Sequence, residues 1–370
     1  MATSAGALLT YGVFKVTSRN SFFGSRDLAI PWFLFALSLQ VVSAGVAVAQ
    51  SETWHYAIQS ASPRVALFSL MREQPPGAEG VVQDLLAAQG LIPAMPPQVT
   101  WAVTPGLTYD RNINSGIAAD ELTLFGLKFV TDEATRAKAG WTPTLSFDVS
   151  AQLPYAEGAV LTAFSSAQSA YSFDHHLTKT DFTTGLCSAN YLGRDWFFDM
   201  CLRKSRRLRD LGETQESAIA VTVEKIFALG SSVHSIAVSP QIERVTDKSR
   251  PLIGFSWRGV YPEIGVLSLN LLNGPALDGL SSTRQSLSIG LTRTILGAPM
   301  RLRVTVDQFA GQSYLGIARN DDRLTLTASR QIGIWAEVYA GYERNRSTIA
   351  GFNDDAALFG ITLKGLPPQP

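Results

Sequence analysis

The residues best able to do chemistry are the histidines of the Asp174-His175-His176 segment, which follows Ser172. An imidazole next to a serine can act as a general base and convert the hydroxyl into a nucleophile, as in hydrolases. The members of a catalytic triad must meet in space, however, and neighbours in sequence seldom do. A polar loop is the alternative, so we predict no catalytic residue and keep a hydrolase as a third interpretation.

The two cysteines, Cys187 and Cys201, lie symmetrically about the turn at Gly193-Arg194-Asp195. If Arg194 is the centre of that turn, the cysteines face each other across one hairpin, with Cβ atoms ~4.5–5.5 Å apart. A disulfide between them can form in an oxidising compartment. Two cysteines alone make no zinc-type site, and glycine-rich phosphate loops are absent from the sequence, so no metal or cofactor is predicted.

The composition excludes several classes of protein. The chain has 370 residues with 31 basic and 31 acidic side chains, so its net charge does not favour nucleic acid. Charged residues make up 17% and hydrophobic residues 46%, which is unusual for a soluble domain. Beyond residue 49, no apolar run reaches the ~18 residues that a membrane-spanning helix needs. The composition therefore argues against a helical membrane protein.

The first fifty residues have the order of an export signal. Basic residues precede an apolar stretch at Pro31–Leu37, and small residues continue to Gln50. We predict that residues 1–49 are a signal peptide cleaved between Ala49 and Gln50, the alternative being an uncleaved anchor helix. An exported chain without a spanning helix is secreted, periplasmic or a barrel of the outer membrane.

Residues 50–98 have a helical pattern. Apolar residues three or four positions apart occur in 62–71 and in 81–90, where the pattern ends at Gly90. Pro96-Pro97 then indicates a linker. We predict that 50–98 is a short periplasmic or plug segment with helices, followed by a second domain at 99–370.

From about residue 119, apolar and polar residues alternate, which is the period of a β-strand with two different faces. Tight turns are predicted near 154–157, 193–195, 230–232, 261–263, 297–299 and 331–333. Longer polar loops are predicted at 169–178, 205–216, 244–250, 273–283, 309–322 and 346–355. Because short and long connections alternate strictly, all short turns fall on one rim, as in transmembrane barrels.

The connections also give the number of strands. Counting back from a last strand at 356–364 gives fourteen strands, of which Asp120–Val130 is the first. An even number is typical of bacterial barrels. Val99–Tyr109 also has the pattern of a strand, but it would make fifteen. We therefore predict that Val99–Tyr109 lies in the periplasm or in the lumen.

A soluble β-sandwich is the alternative fold, because its strands alternate in the same way. Strands of about ten residues are longer than sandwich strands and suit a tilted crossing of the hydrocarbon layer. The polar face carries charges that a dry core would not tolerate. We therefore predict an all-β transmembrane fold, an antiparallel outer-membrane β-barrel of about 14 strands with a short helical N-terminal segment. Its surroundings would be the lipid and lipopolysaccharide of the cell outer membrane.

The polar face of the predicted strands lines the lumen of such a barrel. Charges there can set the ionic selectivity of a pore or hold a client segment, or they can simply pair across neighbouring strands. By parity, the lumen-lining candidates are Lys128, Asp148, Asp199, Arg203, Arg301, Arg303, Asp307, Glu337 and Glu343.

The basic run from Arg203 to Arg209 is predicted at the outer rim. Guanidinium groups bind phosphate through two parallel hydrogen bonds, so contact with lipopolysaccharide is one interpretation. A solvated loop is the other.

Two segments resemble the barrel domain of the surface lipoprotein assembly modifier family. The first is Thr108–Asn114, which carries a Tyr-Asp-x-Asn-x-Asn stretch, and the second is Tyr339–Ile349, which carries a Tyr-x-x-Asn-x-Ser-x-Ile stretch. The residues that carry the resemblance are Tyr109, Asp110, Asn112, Asn114, Tyr342, Asn345 and Ser347. The resemblance implies a fourteen-stranded barrel that helps a client lipoprotein reach the cell surface. Asparagines at these places also suit turns.

Three functional interpretations follow from the sequence. The leading one is a barrel that translocates or displays a client lipoprotein, with no bond-making chemistry. The second is a diffusion porin for small solutes, in which the charges of the lumen act as a filter. The third is an outer-membrane hydrolase that uses His175 or His176.

Overall fold

The computed structural model describes residues 53–60, 62–92, 96–333 and 335–363. The predicted signal peptide, residues 1–49, lies outside the described residues. Three helices come first: α1 (Thr53–Gln59), α2 (Pro63–Glu73) and α3 (Glu79–Ala88). None of the described helices is long and apolar enough to span a membrane.

The rest of the described chain is almost entirely β-structure. The strands are β1 (Gln98–Asp110), β2 (Glu121–Leu124), β3 (Leu127–Val130), β4 (Gly140–Ala156), β5 (Ala159–Ser172), β6 (Leu177–Gly193), β7 (Trp196–Arg209), β8 (Gly212–Leu229), β9 (Ser232–Val245), β10 (Lys248–Tyr261), β11 (Gly265–Asn273), β12 (Ser282–Ile295), β13 (Ala298–Tyr314), β14 (Ile317–Ile332), β15 (Ala336–Ser347) and β16 (Asp354–Leu363).

Fourteen of these strands form a closed antiparallel barrel, in which β1 pairs with β4 on one side and with β16 on the other. The two remaining strands, β2 and β3, form a separate hairpin. The predicted fold class and the predicted number of strands are therefore confirmed.

The prediction of the first wall strand is wrong. Val99–Tyr109 lies within β1, which pairs with β4 along its whole length, whereas Asp120–Val130 contains the separate β2–β3 hairpin. The total stays at fourteen because β1 takes the place in the wall that was predicted for Asp120–Val130. The physical reason is length: β2 and β3 have four residues each. At about 3.3 Å per residue such strands cannot cross the membrane, although their apolar residues alternate just as those of β1 do.

The six tight turns lie on one rim, where they were predicted. Most of the predicted long loops on the other rim are wrong, because the strands continue almost to the tip of each hairpin. Only residues 210–211 separate β7 from β8, and only 246–247 separate β9 from β10. Polar side chains pair across these hairpins, as Arg206 does with Glu213, so a polar sequence here does not end the strand.

The two faces of the wall differ as the alternation requires. Large apolar side chains on the outer face stay exposed in the isolated chain, among them Trp101, Leu145, Phe182, Leu202, Ile253 and Ile289. Tyr109 stacks on Phe359 at a ring distance of 5.1 Å, and Trp141 lies edge-on to both rings. A closed sheet with an apolar outer surface is covered by lipid, and this barrel lies in the outer membrane.

Candidate functional site

The lumen face of the wall is the face that contacts the helices. Directly opposed residues of neighbouring strands have their side chains on the same face of the sheet. The pairing of the strands therefore shows, strand by strand, which residues face the lumen. It places on the lumen face all but one of the candidates, namely Asp148, Asp199, Arg203, Arg301, Arg303, Asp307, Glu337 and Glu343. The exception is Lys128, whose predicted lumen position is wrong because β3 lies outside the wall, where Lys128 pairs with Glu121.

Several lumen charges pair with each other across neighbouring strands. Arg301 lies 2.9 Å from Glu337, and Arg203 lies 3.2 Å from Glu216. The side chains of Arg301 and Arg203 nevertheless remain 46% and 50% exposed. Pairing and solvation therefore occur together on this face.

Helix α1 lies against the lumen face near the rim of tight turns. Gln59 Nε2 donates to Thr294 Oγ1 of β12 at 2.8 Å. Tyr56 and Ala57 are buried in one apolar cluster with wall residues that include Val260 and Val266. The N-terminal segment therefore enters the mouth of the barrel instead of lying beside it.

Helix α2 carries the charged contact between the helices and the wall. Its first turn begins with Pro63, and the hydroxyl of Ser62 accepts from the Val65 N–H, which caps the helix. This start directs Arg64 to β7 and β8. Arg64 Nη2 donates to Asp199 Oδ1 at 2.6 Å, and Arg64 Nη1 donates to Asp199 Oδ2 at 2.8 Å and to Glu224 Oε2 at 3.0 Å.

The environment of Arg64 keeps it charged and oriented. Its side chain is only 10% exposed, its Nε donates to Gln89 Oε1 of the chain after α3 at 3.0 Å, and its Cζ lies 4.2 Å from the centre of the Phe197 ring. Burial acts to lower the pKa of Arg64, but the hydrogen bonds and charges of Asp199 and Glu224 outweigh it and raise the pKa. The guanidinium is therefore a permanent cation.

Packing around Arg64 is incomplete. A cavity of about 460 Å³ lies between α2, α3 and the wall. Its apolar lining includes Leu67, Phe68, Leu86, Tyr191 and Phe197. Beside the cavity, Val65 of α2 is fully buried in one apolar cluster with Phe197 and Val233, so α2 is held both by its guanidinium and by apolar packing.

The helices continue across the mouth to the opposite side. Arg72 of α2 donates to the carbonyl oxygens of Gly230 and Ser232 in the β8–β9 turn. Beyond α3, the Gly158 N–H of the β4–β5 turn donates to the Gly90 carbonyl oxygen at 2.8 Å. The segment therefore spans the mouth from β12 to the β4–β5 turn, and we call its residues 53–60 and 62–92 the plug.

The outer end of the barrel is covered differently, by residues 111–139 between β1 and β4. Asn114 Nδ2 donates to the Arg136 carbonyl oxygen at 2.8 Å, and Asn114 Oδ1 accepts from the Lys138 N–H at 3.0 Å. Asn112 makes a similar pair of bonds with the backbone of Gly116. These motif asparagines fix the turns of a loop, as their residue type suggested.

The other motif residues also lie at the outer end. Asp110 pairs with Lys179, and Tyr109 stacks on Phe359. The remaining three hold the β15–β16 connection: Tyr342 donates to Asp355 at 2.8 Å, Asn345 donates to the Phe352 carbonyl oxygen at 2.8 Å, and Ser347 accepts from the Ile349 N–H at 3.2 Å. The two segments that carry the resemblance therefore shape one rim of the barrel.

Cys187 and Cys201 are Cα partners in β6 and β7, and they form a disulfide. They lie on the lumen face, since Cys201 follows Asp199 by two residues.

The histidines do not assemble a hydrolytic site. His175 Nε2 lies 3.0 Å from the Ala139 carbonyl oxygen, and His176 Nδ1 lies 3.0 Å from the Tyr171 hydroxyl. In the part of the chain that the structure describes, the buried hydroxyl of Ser172 has no hydrogen-bond partner. No imidazole is therefore placed to activate this serine.

The basic run lies in β7 and not in a loop, so the prediction of a loop is wrong. Arg206 pairs with Glu213 at 2.7 Å, and Arg209 pairs with Asp181 at 2.9 Å. The run continues the ladder because acidic residues on β6 and β8 face it. Contact with lipopolysaccharide stays a prediction.

Sequence reasoning missed the residues that join the plug to the wall, namely Arg64, Glu224 and Phe197. The available signal was a single arginine at the start of an otherwise apolar stretch, Arg64-Val65-Ala66-Leu67. A charge inside such a stretch needs a partner when the stretch is buried. The sequence alone does not reveal which strands supply it.

No protein-family model matches this chain, and no curated protein matches it significantly. Solved structures with a similar architecture include the high-pH form of OprB from Pseudomonas putida, with 9% identity, a TM-score of 0.43 and coverage of 78% of this chain and 97% of that chain. A BenF-like porin from Pseudomonas fluorescens Pf-5 has 9% identity, a TM-score of 0.35 and coverage of 73% and 99%. OccK2 of Pseudomonas aeruginosa in complex with glucuronate has 8% identity, a TM-score of 0.39 and coverage of 73% and 99%. At these values the similarities add nothing to what the barrel geometry itself shows.

Proposed function

We propose that this barrel is a channel for small solutes and that the plug closes its periplasmic mouth. The observation that carries the proposal is the solvated charge on the lumen face. Arg203 and Arg301 are about half exposed there, and Asp148 and Arg303 are exposed as well. Charged groups keep this exposure only where water reaches them, because a dry interior would make each of them costly.

The number of strands also supports a wet lumen. Barrels of eight strands are filled by their own side chains, whereas barrels of sixteen to eighteen strands enclose an aqueous channel. With fourteen strands, this wall is closer to the second group. Polar and charged side chains around an aqueous path can select solutes by size and charge.

The plug gives the channel a closed state. Its contacts run from Thr294 of β12 to Gly158 of the β4–β5 turn, and its main polar attachment is Arg64. Removing one partner of a buried ion pair costs about 3–5 kcal/mol. If that cost falls on docking of the plug, the ratio of open to closed molecules rises by a factor of about one hundred or more.

Reconstitution into planar bilayers tests the proposal. We expect low conductance from the wild type and steady open currents from Arg64→Ala, because the released plug unblocks the mouth. Arg206→Ala is the matched control, since Arg206 pairs with Glu213 at the opposite end of the barrel. Its currents should equal those of the wild type.

Liposome swelling with a small neutral sugar should be slow for the wild type and for Arg206→Ala, and fast for Arg64→Ala. An Arg64→Ala protein that is folded in the bilayer but passes neither ions nor sugar would contradict the proposal. The interpretation as a surface lipoprotein assembly modifier with a client lipoprotein stays a prediction, because it depends on the short motifs alone.

A further inference from the structure

We propose that the wall site now filled by Arg64 is a receptor for small solutes that carry a guanidinium group. Such a solute competes with Arg64 and releases the plug. The site consists of Phe197, Asp199 and Glu224 on β7 and β8. The opening of a channel on binding rests on the proposed function, whereas the binding itself does not.

The receptor belongs entirely to the wall. Phe197 and Glu224 are Cα partners in the β7–β8 ladder, and Asp199 follows Phe197 by two residues on the same face. The ladder therefore fixes the backbone positions of all three residues whether or not the plug is docked. A site built on paired strands keeps its geometry better than one built on loops.

The chemistry of the site matches a guanidinium group in three respects. Asp199 accepts two parallel N–H bonds, at 2.6 and 2.8 Å, and Glu224 accepts a third bond at 3.0 Å. The Phe197 ring lies 4.2 Å from the guanidinium carbon. A planar fork satisfies all of these contacts together, whereas an ammonium ion is a point charge without a planar face. The site therefore selects guanidinium over ammonium.

Departure of the plug leaves Asp199 and Glu224 without the cation that now pairs with them. Asp199 then loses two hydrogen bonds from the guanidinium, and Glu224 loses one. Both carboxylates therefore lose the cation with which they form ion pairs. The side chains of Asp199 and Glu224 are only 23% and 13% exposed when Arg64 is docked, so water alone compensates these two carboxylates poorly. An incoming guanidinium group replaces the cation that both carboxylates have lost.

Arg64 and a solute cannot occupy the wall site at the same time, because both need the same carboxylate oxygens of Asp199 and Glu224. A solute that binds only the undocked state shifts the population toward that state. By thermodynamic linkage, docking of the plug must weaken solute binding by the same factor by which the solute weakens docking of the plug. Arg64 thus acts as a built-in competitor for the ligand.

The experiment compares methylguanidinium with methylammonium as probes of full-length Arg64→Ala, followed by ligand-observed NMR in detergent. We expect methylguanidinium to bind roughly tenfold more tightly than methylammonium, because only the planar cation forms the paired bonds. Binding to the wild type should be roughly tenfold weaker or more, because Arg64 occupies the site. Heat-modifiable migration confirms that each variant is folded.

Adding Asp199→Asn to Arg64→Ala should abolish the preference for methylguanidinium, and adding Glu224→Gln should reduce it. Equal binding of the two cations to Arg64→Ala, or no binding of either, overturns the proposal. Preferential binding by a protein that conducts in no variant leaves the receptor in place and refutes the channel. Conductance of Arg64→Ala without any binding of methylguanidinium refutes the receptor and leaves the channel in place.

Discussion

The two ends of the barrel are covered by different segments that are held by different interactions. At the rim of tight turns, the plug is held by the buried guanidinium that bridges Asp199 and Glu224, by weaker polar contacts such as that of Gln59 with Thr294, and by the apolar cluster around Tyr56 and Ala57. At the outer end, residues 111–139 are fixed by amide side chains that bind the backbone, as Asn114 does with Arg136 and Lys138.

The apolar contacts at the two ends differ as well. The plug buries Tyr56, Ala57 and Val65 against the wall, but next to Arg64 a cavity of about 460 Å³ separates part of the plug from the wall. At the outer end, Leu122 and Leu124 of β2 are almost fully buried against Ile349 of the β15–β16 connection.

We infer from this difference that the plug is the releasable cover and that the outer loop is the permanent one. An ion pair can exchange its cation for another cation without leaving a buried charge unpaired. Amide-to-backbone bonds inside a folded loop have no such substitute, and breaking them leaves orphaned backbone groups. We therefore expect the plug to move and the outer loop to stay.

The largest effect should come from Arg64→Ala. We expect the backbone amides of α2 to exchange with deuterium about one hundred times faster, since loss of the buried pair costs about 3 kcal/mol or more. Amides of 111–139 should keep the rates of the wild type. Hydrogen exchange followed by mass spectrometry measures both regions, with Arg206→Ala as the matched control. Faster exchange at both ends would show that the two covers are coupled.

A smaller effect is expected from Leu122→Ala in β2. Leu122 is 3% exposed, and truncating a buried leucine costs about 2–3 kcal/mol in a site that partly collapses. The outer loop should become sensitive to protease while the plug stays protected. Leu127→Ala, in the same hairpin at 62% exposure, is the control and should change little. If Leu122→Ala releases the plug instead, the division between the two ends is wrong.

The smallest effect should come from Asn114→Ala. Asn114 is fully buried, and its loss leaves the Arg136 carbonyl oxygen and the Lys138 N–H without this partner, which costs about 1–3 kcal/mol. Hydrogen exchange should rise locally around 112–138 and nowhere else. Asn320→Ala, at an exposed position of β14, is the comparison variant. An unchanged exchange rate in Asn114→Ala would mean that the amide bonds do not hold the loop.

The alternation of apolar and polar residues correctly predicts most of the wall. Asp199, Arg301 and Glu343 lie on the lumen face because side chains on a strand alternate strictly and antiparallel partners share a face. The same reasoning failed for Lys128. Alternation identifies a strand, but it does not decide whether that strand is long enough to be part of the wall.

The lengths of most loops and the docking of the plug could not be predicted from pattern. A polar segment such as 205–216 indicates solvent contact, and solvent reaches a paired hairpin as easily as a loop, so polarity did not distinguish them. The helices of the plug were predicted from their period, but the partners of Arg64 were not. Asp199 and Glu224 lie 135 and 160 residues further along the chain.

The sequence by itself determined the alternating strands and the tight turns on one rim, because each depends on residues close together along the chain. Only the tertiary structure decided which strand begins the wall, where the plug docks and which carboxylates receive Arg64. Those features depend on closure of the barrel, which brings distant strands to one mouth and fixes the distances between charges that no local pattern records.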